Sequence, residues 1–235
     1  LLLSHGLALQ SMRAAGVKAP LGIVLNQSPT TAATDSPADQ TRAQREYDRF
    51  VRWYMDPIFN KAYPQSPELA QPDNIEAGDF DIIAQPLDFL GINYYTRIWA
   101  STSTPPVPAP NQDGVSDMGW ENYAQGLSDL LQGIHRDYPL PPIYITENGF
   151  AEADKVVDGR VNDPGRQAYM QTHLQALHEA MAAGVDVRGF FYWSLMDNFE
   201  WACGYDKRFG LVHVDYATQQ RTLKDSALRY RALIT

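Results

Sequence analysis

Apolar residues along this 235-residue chain fall into two alternating patterns. Short continuous runs occur at residues 21–25, 89–92, 143–146 and 189–193, as expected of parallel strands buried on both faces. Helical spacing fills the intervals. Ser36, Pro37 and Asp39 form an N-cap, a first-turn proline and a first-turn acid. They precede Tyr47, Phe50, Val51, Tyr54 and Ile58 on one stripe, with Pro57 expected to bend or end the helix. Leu127, Leu130, Leu131 and Ile134 predict a second helix closing near Pro139. Asp163-Pro164 opens a third, with Met170, Leu174, Leu177 and Met181 on one face and Gly184 as its stop. A last helix is predicted over 222–233, and an opening one runs from Leu1 towards Gly16.

Strict alternation of strand and helix means an α/β fold with right-handed crossovers, expected as one domain over residues 1–235. Two architectures fit, an open doubly wound sheet and a segment of a (β/α)8 barrel. The open sheet usually carries a Gly-rich phosphate turn after a strand, and none is present. The proline-rich stretch at 101–114 and the segment at 62–79 are expected as surface loops. The chain opens on three leucines without a Met or a polar lead-in, the expectation for a piece of something longer; a processed terminus is the alternative.

Charge and cysteine content narrow the class. A net charge of −9 without a Lys/Arg cluster argues against nucleic acid. No apolar run approaches the ~20 residues that cross a bilayer. One cysteine excludes an internal disulfide and fits a reducing compartment, so a cytoplasmic location is the expectation. The five histidines show no metal-ligand spacing. The charged stretches at 42–49 and 152–158 are expected as solvated surface.

Chemistry gathers where the strands end. Asn26 and Gln27 follow the first, Asn93, Tyr94 and Tyr95 the second, and Glu147 and Asn148 the third. The fourth runs into Trp193, Asp197, Glu200 and Trp201. In an α/β barrel the C-terminal strand ends form the catalytic face. Aromatic rings mixed with amides and carboxylates suit a sugar, whose C–H faces pack on rings and whose hydroxyls need directional partners.

At these residues the chain resembles glycoside hydrolase family 1, the β-glucosidase family. The resemblance is carried by IYITENG at 143–149, FYWSLMDNFEWACGYDKRFGLVHVDY at 191–216, DFLGINYYTR at 88–97 and MGWENYAQGL at 118–127. It implies the C-terminal half of a TIM (β/α)8 barrel, strands 5 to 8 with their helices, and a retaining mechanism. Glu147 matches the nucleophile, Tyr95 the tyrosine bonded to it, and Asn93 a group lining the sugar site. Glu200 and Trp201 match the pair that binds sugar hydroxyls, which favours unphosphorylated sugars. Trp193 matches the ring under the sugar, Trp120 a wall of the leaving-group site, and Phe209 a packing residue. No cofactor or metal is implied. The family's acid/base glutamate lies in an Asn-Glu-Pro motif, which this sequence does not contain. The isolated chain is therefore expected to be inactive unless a complementary N-terminal half-barrel completes it. A non-catalytic half-barrel that self-associates and binds sugars weakly is the alternative.

Overall fold

The computed structural model describes residues 1–67, 69–111 and 113–235; Glu68 and Gln112, within the two predicted surface loops, lie outside the described residues. The elements run α1 (Leu2–Ala14), β1 (Gly22–Asn26), β2 (Thr30–Ala32), α2 (Pro37–Tyr47), α3 (Trp53–Phe59), α4 (Asp79–Ile83), β3 (Phe89–Asn93) and β4 (Ile98–Ala100). They continue as α5 (Gln125–Asp137), β5 (Ile143–Asn148), α6 (Pro164–Ala182), β6 (Val187–Tyr192), β7 (Val212–Val214), β8 (Arg221–Leu223) and α7 (Asp225–Ile234). The four predicted strands form one parallel sheet in the order β1-β3-β5-β6.

Local signals explain most boundaries. The Ser36 side chain accepts from the Asp39 backbone N–H at 3.2 Å, so the predicted cap is present. A π-wound stretch, Asp48–Arg52, joins α2 to α3, and α3 stops two residues after Pro57. The last helix begins at Asp225 rather than at residue 222, because Arg221–Leu223 pairs antiparallel with β7 instead. The short parallel pair β2–β4 and helix α4 were also outside the sequence expectation. Three-residue strands carry too few positions to display a period.

The strands are not buried on both faces. Leu25, Leu90, Ile92, Ile143, Ile145 and Val187 point to one side, where they pack with Val51, Met55, Leu127, Leu131, Ile134 and Leu177 from the helices. Each such side chain contributes roughly 1.5–3 kcal/mol. The alternate positions face the other way, and no helix among the described residues lines the hollow they form. Val24, Phe89, Tyr144, Thr146 and Phe191 line an open apolar hollow of about 700 Å³, and Phe191 remains 56% exposed. Gly91 sits in the middle of this face, where a Cβ would lie 2.8 Å from Val24 and 2.9 Å from Thr146.

Residues 155–158 are exposed, as expected of solvated surface, but Glu152 and Asp154 in the same stretch are not. Glu152 accepts from the Gly165 and Arg166 backbone N–H groups at the start of α6. The Asp154 side chain is fully buried, bonded to Arg166 and to Lys224. Asp163, which immediately precedes α6, makes no side-chain cap and binds the Arg166 guanidinium and both the backbone N–H and hydroxyl of Ser226. Asp48, in the basic stretch at 42–49, is buried too and pairs with Arg52 at 3.2 Å. Pairing allows carboxylates to leave water here, which spacing along the chain could not reveal.

Lys224 also donates to Asp197 at 2.7 Å, so one ammonium ties the loop after β6 to the loop before α6. Burial lowers the Lys224 ammonium from its ordinary value, and the Arg166 charge adds to this against the pull of Asp154 and Asp197. Replacing Lys224 with Met should leave two buried carboxylates facing each other. A stability loss of about 3–5 kcal/mol is expected, read from the urea midpoint at neutral pH; a loss under about 1 kcal/mol would mean water reaches this network.

Candidate active site

The site begins with an irregularity in the sheet. Ile92 pairs with Ile145, but the next residue, Asn93, pairs with Glu147, so Thr146 is an extra residue in β5. Such a bulge turns the following side chain towards the face it would otherwise avoid. Thr146 already faces the open side, where its hydroxyl donates to Asn93 Oδ1 at 2.6 Å. The bulge brings Glu147 to the same side, beside Asn93 and Asn26.

These strand ends meet the segments at 118–120 and 200–209 around a cavity of about 490 Å³. Its walls include Asn93, Tyr95, Trp120, Glu147, Trp193, Glu200, Trp201 and Phe209, all eight residues named from the sequence. Tyr95 donates to Glu147 Oε2 at 2.5 Å. Burial raises the Tyr95 phenol far above its ordinary value, and the bond to Glu147 and that group's charge add to this, so Tyr95 remains a donor. Among the described residues, Glu147 Oε1 accepts no protein hydrogen bond. The Glu200 carboxyl is raised by burial; a bond from Trp193 lowers it, and the charge of Glu147 raises it further.

Aromatic packing sets the wall opposite. Tyr95, Trp120 and Phe209 form a triangle with ring centroids 5.4, 6.0 and 6.1 Å apart. The next residue in the chain, Glu121, is paired with Arg97, and both lie outside the sequence-derived set. Arg97 binds both Glu121 carboxylate oxygens, at 2.8 and 2.9 Å, and its guanidinium lies 3.7 Å from the Tyr123 ring centroid. Gly149 allows the crossing of β5 and the loop after β6, since a Cβ there would lie 2.0 Å from the Trp193 carbonyl oxygen. Trp201 stands on the rim, 83% exposed.

Asn26, Met118, Ala202 and Cys203 also line the cavity and were not among the predicted site residues. Asn26 had a signal, its place at a strand end. Met118 and Cys203 lie two residues from Trp120 and Trp201 within the quoted segments, so their nearness to the site was visible but not their place in its wall.

A model of glycosyl hydrolase family 1 matches residues 1–235, the whole chain. The chain belongs to glycosyl hydrolase family 1. It is 43% identical to a β-glucosidase of an Agrobacterium species, over 98% of this chain and 53% of that protein. It is 37% identical to β-glucosidase A of Acetivibrio thermocellus, over 100% of this chain and 55% of that one. Among solved structures, the family 1 β-glucosidase of Exiguobacterium antarcticum superposes with a TM-score of 0.90 at 40% identity, over 99% of this chain and 55% of that one. The Thermotoga maritima β-glucosidase bound to glucoimidazole gives 0.90 at 34% identity, over 98% and 54%. The chain thus spans about half the length of the curated relatives it matches. Those structural neighbours are TIM-barrel enzymes, and the α/β sheet of this family member is consistent with part of such a barrel. No helix among the described residues is long and apolar enough to cross a membrane, and no group of three His, Cys, Asp or Glu among them is placed to hold a metal ion.

Behind the cavity, His173 is fully buried and stacks on Tyr169 with centroids 3.6 Å apart. Its Nδ1 lies 2.8 Å from the Tyr169 carbonyl oxygen, and its Nε2 has no protein partner. Burial pushes its pKa down to about 3, only partly offset by that backbone bond. The unfolded chain then binds a proton that the folded chain refuses between about pH 6.5 and about 3. Stability contributed here is present above about pH 6.5 and lost as pH falls, by at most about 1.4 kcal/mol per pH unit. His173→Phe should therefore flatten the fall in urea midpoint between pH 7 and pH 4. An unchanged slope would show that His173 takes up a proton in the folded state.

Proposed function

We propose that this chain forms strands 5 to 8 of a (β/α)8 barrel in a retaining β-glycosidase acting on unphosphorylated β-glucosides. The observation carrying this reading is the Tyr95–Glu147 hydrogen bond inside a cavity walled by Trp120, Trp193 and Trp201. Tyr95 occupies Oε2, which leaves Oε1 to attack the anomeric carbon as the glycosidic C–O bond breaks. The leaving oxygen must take a proton at that moment. Water then attacks the glycosyl-enzyme, and its proton must pass to the same acid/base group.

Retaining hydrolysis needs that group about 5–5.5 Å from the nucleophile. Glu200, the other carboxylate in the cavity, instead sits beside Trp193 and matches a position that binds sugar hydroxyls. The proton donor is therefore supplied by the other half of the barrel, and residues 1–235 alone turn over β-glucosides negligibly. The open face of Val24, Phe89, Tyr144 and Phe191 supports the same conclusion, since a closed barrel fills its interior with such side chains. That face would also accept a second copy of this chain, giving an inert dimer with weak sugar affinity.

Mixing the chain with the N-terminal half of the Agrobacterium relative separates these outcomes. A 1:1 complex by light scattering that hydrolyses 4-nitrophenyl β-glucoside is expected. A 2-deoxy-2-fluoroglucoside should label Glu147, and Glu147→Gln should lower turnover at least about 10³-fold, ~4 kcal/mol of barrier. A stable homodimer that ignores the added half, or labelling at Glu200, would refute the reading.

A further inference from the structure

Tyr95 is itself held from behind, by a group on α6 that lies outside the cavity. The Tyr169 hydroxyl donates to the Tyr95 carbonyl oxygen at 2.9 Å and accepts from Asn148 Nδ2 at 3.0 Å. The same Asn148 nitrogen donates to the Tyr94 carbonyl at 2.9 Å. Tyr94 and Tyr95 follow the end of β3, so their carbonyls have left the strand ladder and depend on these two side chains. Glu147 is the residue before Asn148. One phenol therefore joins the chain segment that carries the hydrogen-bond donor to the segment that carries the carboxylate.

The Tyr169 ring cannot easily yield. It is 1% exposed, stacked on His173 at 3.6 Å and packed on Phe150 at 5.3 Å. A side chain locked this way transmits its position to whatever its hydroxyl binds. We propose that Tyr169 is a positioning residue for glycosylation, fixing the backbone of Tyr95 so that the Tyr95 phenol meets Glu147 Oε2 and Oε1 stays free to attack. This rests on the reading of Glu147 as nucleophile and assigns the support of that geometry.

The test uses the completed barrel and 2,4-dinitrophenyl 2-deoxy-2-fluoro-β-glucoside. This probe reports two things separately, the number of sites labelled and the rate constant for labelling. Tyr169→Phe keeps the stacked ring and removes only the hydroxyl. The labelled fraction should stay near that of the parent, while the rate constant falls about tenfold, the scale of one lost hydrogen bond. In a Tyr95→Phe background the same substitution should change the rate less than about twofold, because the phenol it serves is gone. A merely structural role would lower the labelled fraction instead, or slow both backgrounds equally, and either result overturns the proposal. A Tyr169→Phe chain that no longer assembles overturns it as well, since the hydroxyl would then act through the fold. Failure of the parent complex to label Glu147 is a different result, one that removes the glycosidase reading itself.

Discussion

A strand alternates its side chains, so consecutive residues of β5 should look in opposite directions. The extra residue at Thr146 interrupts that alternation where Asn93 pairs with Glu147. Thr146 and Glu147 both reach the open face, one bonded to Asn93 and the other to Tyr95. Without the shift, Glu147 would point among the helices and Asn148 would enter the cavity. Asn148 instead goes to the buried side, where its amide holds the Tyr94 carbonyl and the Tyr169 hydroxyl. A single change of register thus assigns one residue to the cavity and the next to its support.

The two faces of the sheet serve different ends. The helix side is filled by Leu, Ile and Met and supplies the stability. The opposite side is apolar at its middle and polar at its C-terminal rim, from Val24 to Asn26 along β1 and from Gly91 to Asn93 along β3. Such a surface satisfies neither water nor itself. Filling the middle with further side chains would exclude water from beneath the rim and strengthen every polar contact there.

The loop after β6 is held by a short parallel bridge from Met196 to Val212 of β7, and charge adds to this. Asp197 accepts from Lys224, from Arg208 at 2.6 Å, and from the Gly210 and Val214 backbone N–H groups. Burial alone would raise the Asp197 carboxyl, but Lys224 and Arg208 bring it below its ordinary value. The loop that presents Glu200 and Trp201 is therefore pinned at its base and open at its tip, where Trp201 projects into solvent.

The order of strands and helices, the cap at Ser36, and the gathering of Asn, Tyr, Glu and Trp at strand ends were legible in the sequence. Each depends on a period or on neighbours a few residues apart. Asn93, Tyr95, Glu147 and Trp193 line one cavity for the same reason, since parallel strands bring their C-terminal ends together, whereas Trp120 and Phe209 were named only by the family resemblance. The bulge at Thr146 was not legible, because a register shift belongs to two strands at once. Nor was the burial of Asp154, whose partners Arg166 and Lys224 stand 12 and 70 residues away. Tyr169 was not singled out in the sequence; only folding sets its hydroxyl beside a carbonyl 74 residues distant. Local sequence decides which way a side chain faces within its own element; only packing between elements decides what it meets.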